Sequence, residues 1–248
     1  MGLLDIIAAA ILMLSGFIQA ASGFGSGLTS MGLLPFVMDV RDATVIVALI
    51  LPFISAQILW KLRKQASLRR AAPYLVGVFA GTPLGVLILD SAGAWVLKLL
   101  IGVTLAGFCG FMLVSRRDYR VKSHWALSVG AGFLSGVIAG ATNCGGPPLV
   151  LYIYMQGLTK EETSATLQVL FFIGTIYKVA LFVGRGMVET SHLSAAAVFL
   201  VFSAAGIVLG LMLFRRIDTE RLRRWVYAML LVVGVLLIAT TVRGLLTA

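Results

Sequence analysis

The run Gly140-Ala141-Thr142-Asn143-Cys144-Gly145-Gly146-Pro147-Pro148 lies inside an apolar segment, where an unbroken helix is expected. Adjacent glycines and prolines end a helix, because glycine is conformationally loose and proline lacks an N–H and clashes with the preceding turn. In hydrocarbon, backbone polar groups must be paired within the protein. A break there is tolerated only where it is buried or lines a polar cavity. A second break, Ser22-Gly23-Phe24-Gly25-Ser26-Gly27, lies upstream. Paired breaks in matching places of two halves point to a solute site.

The membrane setting follows from composition. Hydrophobic residues make up 60% of the 248 and charged residues 12%, about half the charged fraction of a soluble domain. The loops between apolar runs are too short for a soluble domain. The net charge of +10 sits in short clusters between these runs, which excludes a nucleic-acid partner and leaves the lipid bilayer as the expected surroundings. Cys109 and Cys144 both fall in apolar segments. No structural disulfide, metal site or cofactor is expected, and no zinc spacing is present. The first apolar run has no Lys or Arg before it and carries Asp5. It reads as a retained first span rather than a cleaved leader, although Ala20-Ala21-Ser22 loosely resembles a cleavage site.

The apolar runs cover residues 3–21, 28–38, 43–60, 71–89, 95–114, 125–139, 147–155, 163–183, 193–214 and 225–242. A full span needs about 20 residues. The runs 28–38 and 147–155 are half that length and read as half-helices that dip in and return, each paired with the run before it. Three basic clusters hold 14 of the 20 Lys and Arg: Lys61, Arg63, Lys64, Arg69 and Arg70; Arg116, Arg117, Arg120 and Lys122; Arg215, Arg216, Arg221, Arg223 and Arg224. The excess of basic residues on the inner side places all three in the cytoplasm, with loops 39–42, 90–94 and 184–192 outside. The unit 125–155 must then enter and leave on one side, as a hairpin.

The halves resemble one another. Gly16-Phe17 recurs as Gly132-Phe133, Gly81 and Gly85 as Gly206 and Gly210, and Trp95-Val96 as Trp225-Val226. The expected fold is an all-α integral membrane protein built as an inverted repeat, each half a broken, re-entrant helical hairpin plus three transmembrane helices. The repeats cover residues 1–115 and 125–248, joined by a cytoplasmic linker, 116–124. Three crossings per half is odd, so the second half is inverted relative to the first.

A glycine-rich break early in each half, then a short apolar run, a loop and an Ala/Thr/Ser-rich span, resembles the sulfite exporter TauE/SafE family. The residues that carry the resemblance are 23–27 with Pro35, then 140–146 with Pro147 and Pro148. Asp42-Ala43-Thr44 and Glu162-Thr163-Ser164 open the next span in each half. Asn143-Cys144 stands where the family's glycine run is often denser. The resemblance covers nearly the whole chain. It implies export of small sulfur oxyanions or organosulfonates such as sulfoacetate across the bacterial inner membrane by a multi-pass transporter, not an enzyme.

The chemistry of the breaks also suits an anion. A half-helix starting near Leu28 or Gly145 has unpaired N–H groups at its N-terminus, worth roughly half a positive charge with the helix dipole. Glycine lets backbone approach a ligand closely, and Pro147 and Pro148 fit a first helical turn. Two such termini facing each other at mid-membrane would cradle a small anion. The candidate site therefore comprises Gly23, Gly25, Ser26, Gly27, Thr29, Thr142, Asn143, Cys144, Gly145 and Gly146, with Gln168 and Lys178 from the span after the second hairpin. Gly132, Gly136 and Gly140, four apart, read instead as a face for close helix packing. Lys178 has two readings, a site cation or an interface residue that snorkels. Gln168 faces either the cavity or a neighbouring helix.

All ten acidic residues fall in loops or at span ends, and His124 and His192 lie at span edges. No buried carboxylate relay of the proton-coupled kind is evident. This leads to an expectation of uncoupled efflux driven by membrane potential. Two alternatives stay open: an uptake transporter or channel for another small organic or inorganic anion, and a membrane-embedded thiol enzyme using Cys144, which lacks an obvious base. A homodimer is one assembly the sequence permits.

Overall fold

The computed structural model describes residues 2–114, 121–213 and 219–246. Arg116, Arg117, Arg120, Arg215 and Arg216, and most of the expected linker, lie outside the described residues. Ten α-helices are present among the described residues: α1 (Leu3–Ser22), α2 (Ser26–Leu33), α3 (Val40–Lys61), α4 (Leu68–Ser91), α5 (Ala94–Val114), α6 (Trp125–Thr142), α7 (Gly146–Tyr154), α8 (Lys160–Gly184), α9 (Thr190–Leu213) and α10 (Thr219–Leu246). All but α2 and α7 are long and apolar enough to cross a bilayer, eight in all, and no strand is found among the described residues. The protein is an all-α integral membrane protein.

Local chemistry explains the helix ends. Asp39 caps α3 by accepting from the Arg41 amide at 2.8 Å. Thr159 and Glu162 form a reciprocal capping box at the start of α8. Helix α1 ends at Gly23 with φ 88° and α6 at Asn143 with φ 60°, both left-handed. After each left-handed residue the chain starts a short helix. Helix α2 begins at Ser26, two residues before the apolar run does, because Gly25, at φ 111°, supplies the turn into it. It gives way to a 3-10 turn at Leu34–Phe36, where Pro35 removes a donor.

The second hairpin closes on itself. Ser135, midway along α6, donates to the Gly145 carbonyl at 2.5 Å, so α7 runs back beside the first half of α6. At the base the Val121 amide donates to the Met155 carbonyl at 2.8 Å, and the His124 amide to the Tyr152 hydroxyl at 2.9 Å. The hairpin thus starts and finishes in one place.

Polar contacts sort the loops onto two faces. Arg70 pairs with Glu162 at 3.0 Å, beside the base of the second hairpin. This face carries Lys61, Arg63, Lys64, Arg69 and Arg70. On the opposite face Arg41 donates to the Ala92 carbonyl at 2.7 Å, Arg185 pairs with Asp90 at 3.0 Å, and His192 with Asp42 at 3.2 Å. Loops 39–42, 90–94 and 184–192 therefore share one face.

Packing crosses between the halves. Helix α1 lies against α9, α6 against α4, α5 against α10 and α3 against α8. Small residues bring the backbones together, as membrane helices require when burial in oil gives no drive. A methyl added at Gly136 would sit 2.6 Å from the Val78 carbonyl, and one at Gly210 2.7 Å from that of Phe17. Bulky apolar residues face outward, Val103, Phe111, Val201, Met212 and Val232 among them, as lipid contact demands.

Candidate functional site

The two breaks meet. Gly27 of α2 packs on the Asn143 carbonyl, and the Cys144 thiol lies 3.9 Å from the Gly27 carbonyl. Between them is a chamber of about 60 Å³, room for a few waters or one small ion. The first break contributes Gly25, Ser26 and Gly27 to its wall, and the second Asn143, Gly145 and Gly146. Helix α8 contributes Phe171, Thr175 and Lys178; Gln19, Thr82 and Ser135 come from α1, α4 and α6.

Lys178 points inward. It is 2% exposed, and its ammonium donates to Asn143 Oδ1 and, at 3.3 Å, to the Ala139 carbonyl. The Asn143 amide in turn donates to the Thr44 carbonyl of α3 at 2.8 Å. One residue thereby links α6, α3 and α8 on the side of the chamber away from the basic face. Snorkelling is not what this lysine does here, because its end is anchored to the tip of the second hairpin.

Two glutamines close the other side. Gln168 donates to the Gly23 carbonyl at 2.8 Å and accepts from Gln19 at 3.3 Å. Gln19 Oε1 accepts from the Ser26 amide at 3.0 Å and from the Ser26 hydroxyl. The start of α2 is therefore not bare, since a side chain from α1 already caps its first amide. At α7, Pro147 and Pro148 remove two further donors from the first turn. Fewer free amides face the chamber than two open helix termini would present.

The hydroxyls divide in the same way. Ser26, Thr82 and Ser135 each donate to a protein acceptor, whereas the Thr175 hydroxyl has no such acceptor among the described residues. Lys178, Thr175, Gly145 and Gly146 all line the chamber.

Other candidates lie elsewhere. Gly23 lines a larger cavity toward the basic face. Gln168 stands behind the chamber wall and holds Gly23. Cys144 is fully buried, and Thr142 donates to the Ile138 carbonyl at 2.9 Å, as threonines in helices do. Thr29 is buried, with a hydroxyl that makes no hydrogen bond among the described residues. Gln19, Thr82, Ser135 and Thr175 line the chamber without belonging to either break. A polar side chain in an apolar span is the only sequence signal they offer, and many such residues serve helix contacts instead.

A multi-span membrane transporter is the class that this fold and its broken-helix chamber define. A family model described as Sulfite exporter TauE/SafE matches residues 8–237. The chain belongs to that family. None of the curated proteins matches it.

Proposed function

We propose that the chamber holds a small sulfur-containing anion, sulfite or an organosulfonate such as sulfoacetate, and that the protein exports it across the bacterial inner membrane. The observation that carries this reading is the setting of Lys178. Its ammonium is buried and meets only neutral acceptors, Asn143 Oδ1 and the Ala139 carbonyl. Among the described residues, none that lines the chamber is acidic. A buried charge without an opposite charge bears an uncompensated desolvation cost, and a bound anion supplies that opposite charge. Thr175 and the start of α7 then donate to its oxygens.

Among the described residues no carboxylate stands in the chamber wall to carry a proton with the anion. Membrane potential suffices as the driving force. Moving one charge through 100 mV is worth about 2.3 kcal/mol, roughly a fifty-fold concentration ratio. In proteoliposomes, sulfite flux is expected to rise with a potential clamped negative on the basic face and to fall to background in Lys178→Met. Flux that follows an imposed pH gradient and ignores the potential would overturn uncoupled transport. Undiminished flux and affinity in Lys178→Met would overturn the site.

A further inference from the structure

Helix α8 turns one face to the chamber. Phe171, Gly174, Thr175 and Lys178 line it together, at the three- and four-residue spacing that stacks side chains on one side of a helix. Phe171 stands about 10 Å along the axis from Lys178, toward the basic face where α8 begins. The tip of its ring reaches the start of α7. A methyl on Gly146 would stand 3.7 Å from Phe171 Cζ and, apart from its own neighbours in the chain, would meet nothing else within 4 Å.

Other glycines of the chamber wall are held to that residue type by backbone or packing. Gly25 has a φ of 111°. A methyl on Gly27 would collide with the Asn143 carbonyl and one on Gly145 with the Ser135 carbonyl, and one on Gly174 would press on Val78 at 3.0 Å. Gly146 instead faces space bounded by Phe171. Its one local constraint is Pro147, since proline disfavours a helical residue with a Cβ before it.

The space is small. A water-sized atom needs about 10–15 Å³, so the chamber's volume of about 60 Å³ admits roughly four to six such atoms. Sulfite, a sulfur with its three oxygens, fits that count. Sulfoacetate adds a methylene and a carboxylate and doubles it.

We propose that Phe171 and Gly146 form a size filter, in which the ring and the missing side chain leave room for a single compact oxyanion such as sulfite and shut out organosulfonates. The proposal rests on the reading of the chamber as the transport site and narrows its substrate. With the anion's oxygens at Lys178 and Thr175, a longer body runs into the Phe171 ring. A methyl on Gly146 takes up space that the anion itself needs.

Sulfite flux in proteoliposomes, with sulfoacetate as competitor, is the test. In the unaltered protein the inhibition constant of sulfoacetate is expected to lie at least ten-fold above the KM for sulfite. Phe171→Ala should lower that ratio at least five-fold. Phe171→Leu, the milder change, should lower it at least two-fold and keeps the test if the alanine variant does not fold. Gly146→Ala should raise the sulfite KM at least five-fold, and adding Phe171→Ala or Phe171→Leu to it should bring the KM back to within two-fold of the unaltered protein. Strain before Pro147 would not be relieved by a change in α8, so this rescue separates lost space from a disturbed turn. Sulfoacetate that competes as well as sulfite in the unaltered protein, a ratio that no Phe171 variant moves, or a sulfite KM in Gly146→Ala that is unchanged or not rescued overturns the filter. If Lys178→Met still abolishes sulfite flux in that event, the chamber reading stands and only the filter falls. Undiminished flux in Lys178→Met overturns both.

Discussion

Asn143 is the only non-glycine residue with positive φ among the described residues. It does two separable things: its backbone ends α6 in the left-handed region, and its amide joins Lys178 to Thr44. Substitution can split them. Asn143→Gly keeps the backbone at ease and deletes the amide, whereas Asn143→Ala deletes the amide and strains the backbone. The alanine variant is expected to be less stable than the glycine variant by about 1 kcal/mol, read from unfolding in detergent, with anion affinity reduced at least ten-fold in both. Equal stability would mean that the turn relaxes out of the left-handed region. Gln168→Leu tests the opposite wall. It leaves the Gly23 carbonyl and the Gln19 amide unpaired in a buried place, at a cost of about 1–3 kcal/mol, and the same unfolding measurement checks it. The amide pair shows where reading residues one at a time runs out. Gln19 and Gln168 are polar residues in spans, but nothing local says that 149 positions of chain bring them within hydrogen-bonding distance. The direction of Lys178 was hidden for a similar reason, because its position along α8 says nothing about which helix covers its face.

At the scale of elements, glycine spacing separates packing from open surface. A methyl at Gly81 would collide with the Phe133 carbonyl of α6, whereas one at Gly107 in α5 meets nothing within 4 Å. Gly81→Ala is expected to destabilise by about 1–3 kcal/mol. Gly107→Ala should be neutral or stabilise by up to about 1 kcal/mol. Thermal unfolding in one detergent compares them directly, and a harmless Gly81→Ala would show that α4 and α6 slide apart at little cost. Capping makes a third comparison. Thr159→Ala removes the hydroxyl from the box that starts α8 and should cost about 1 kcal/mol, seen as a lower unfolding midpoint. The breaks themselves were legible, because two glycines followed by two prolines in lipid have few structural explanations. The hairpin geometry followed from charge, since basic clusters on both sides of residues 125–155 require a return. Helix α2 starts two residues before the apolar run because hydrophobicity marks apolar surface, whereas Gly25 and the Gln19 cap set where helical bonding begins.

For the molecule as a whole, the main fact is that the sequence halves do not pack as separate bodies. Helix α1 rests on α9, α6 on α4, and α3 and α5 on α8 and α10. Cut between residues 114 and 121, the two pieces are expected to co-purify when expressed together and to restore flux, while neither accumulates alone. A stable, folded first piece on its own would contradict the interlocked packing. The interlocking also bears on biogenesis. Helix α1 leaves the ribosome well before its principal partner α9, which begins about 170 residues after α1 ends, a delay of roughly 8–35 s at ordinary elongation rates. Throughout that interval the face of α1 that carries Gly16, later packed on Ser203 of α9, must be shielded by lipid, the insertion machinery or a provisional neighbour, so the newborn chain holds an uncovered packing surface until α9 arrives.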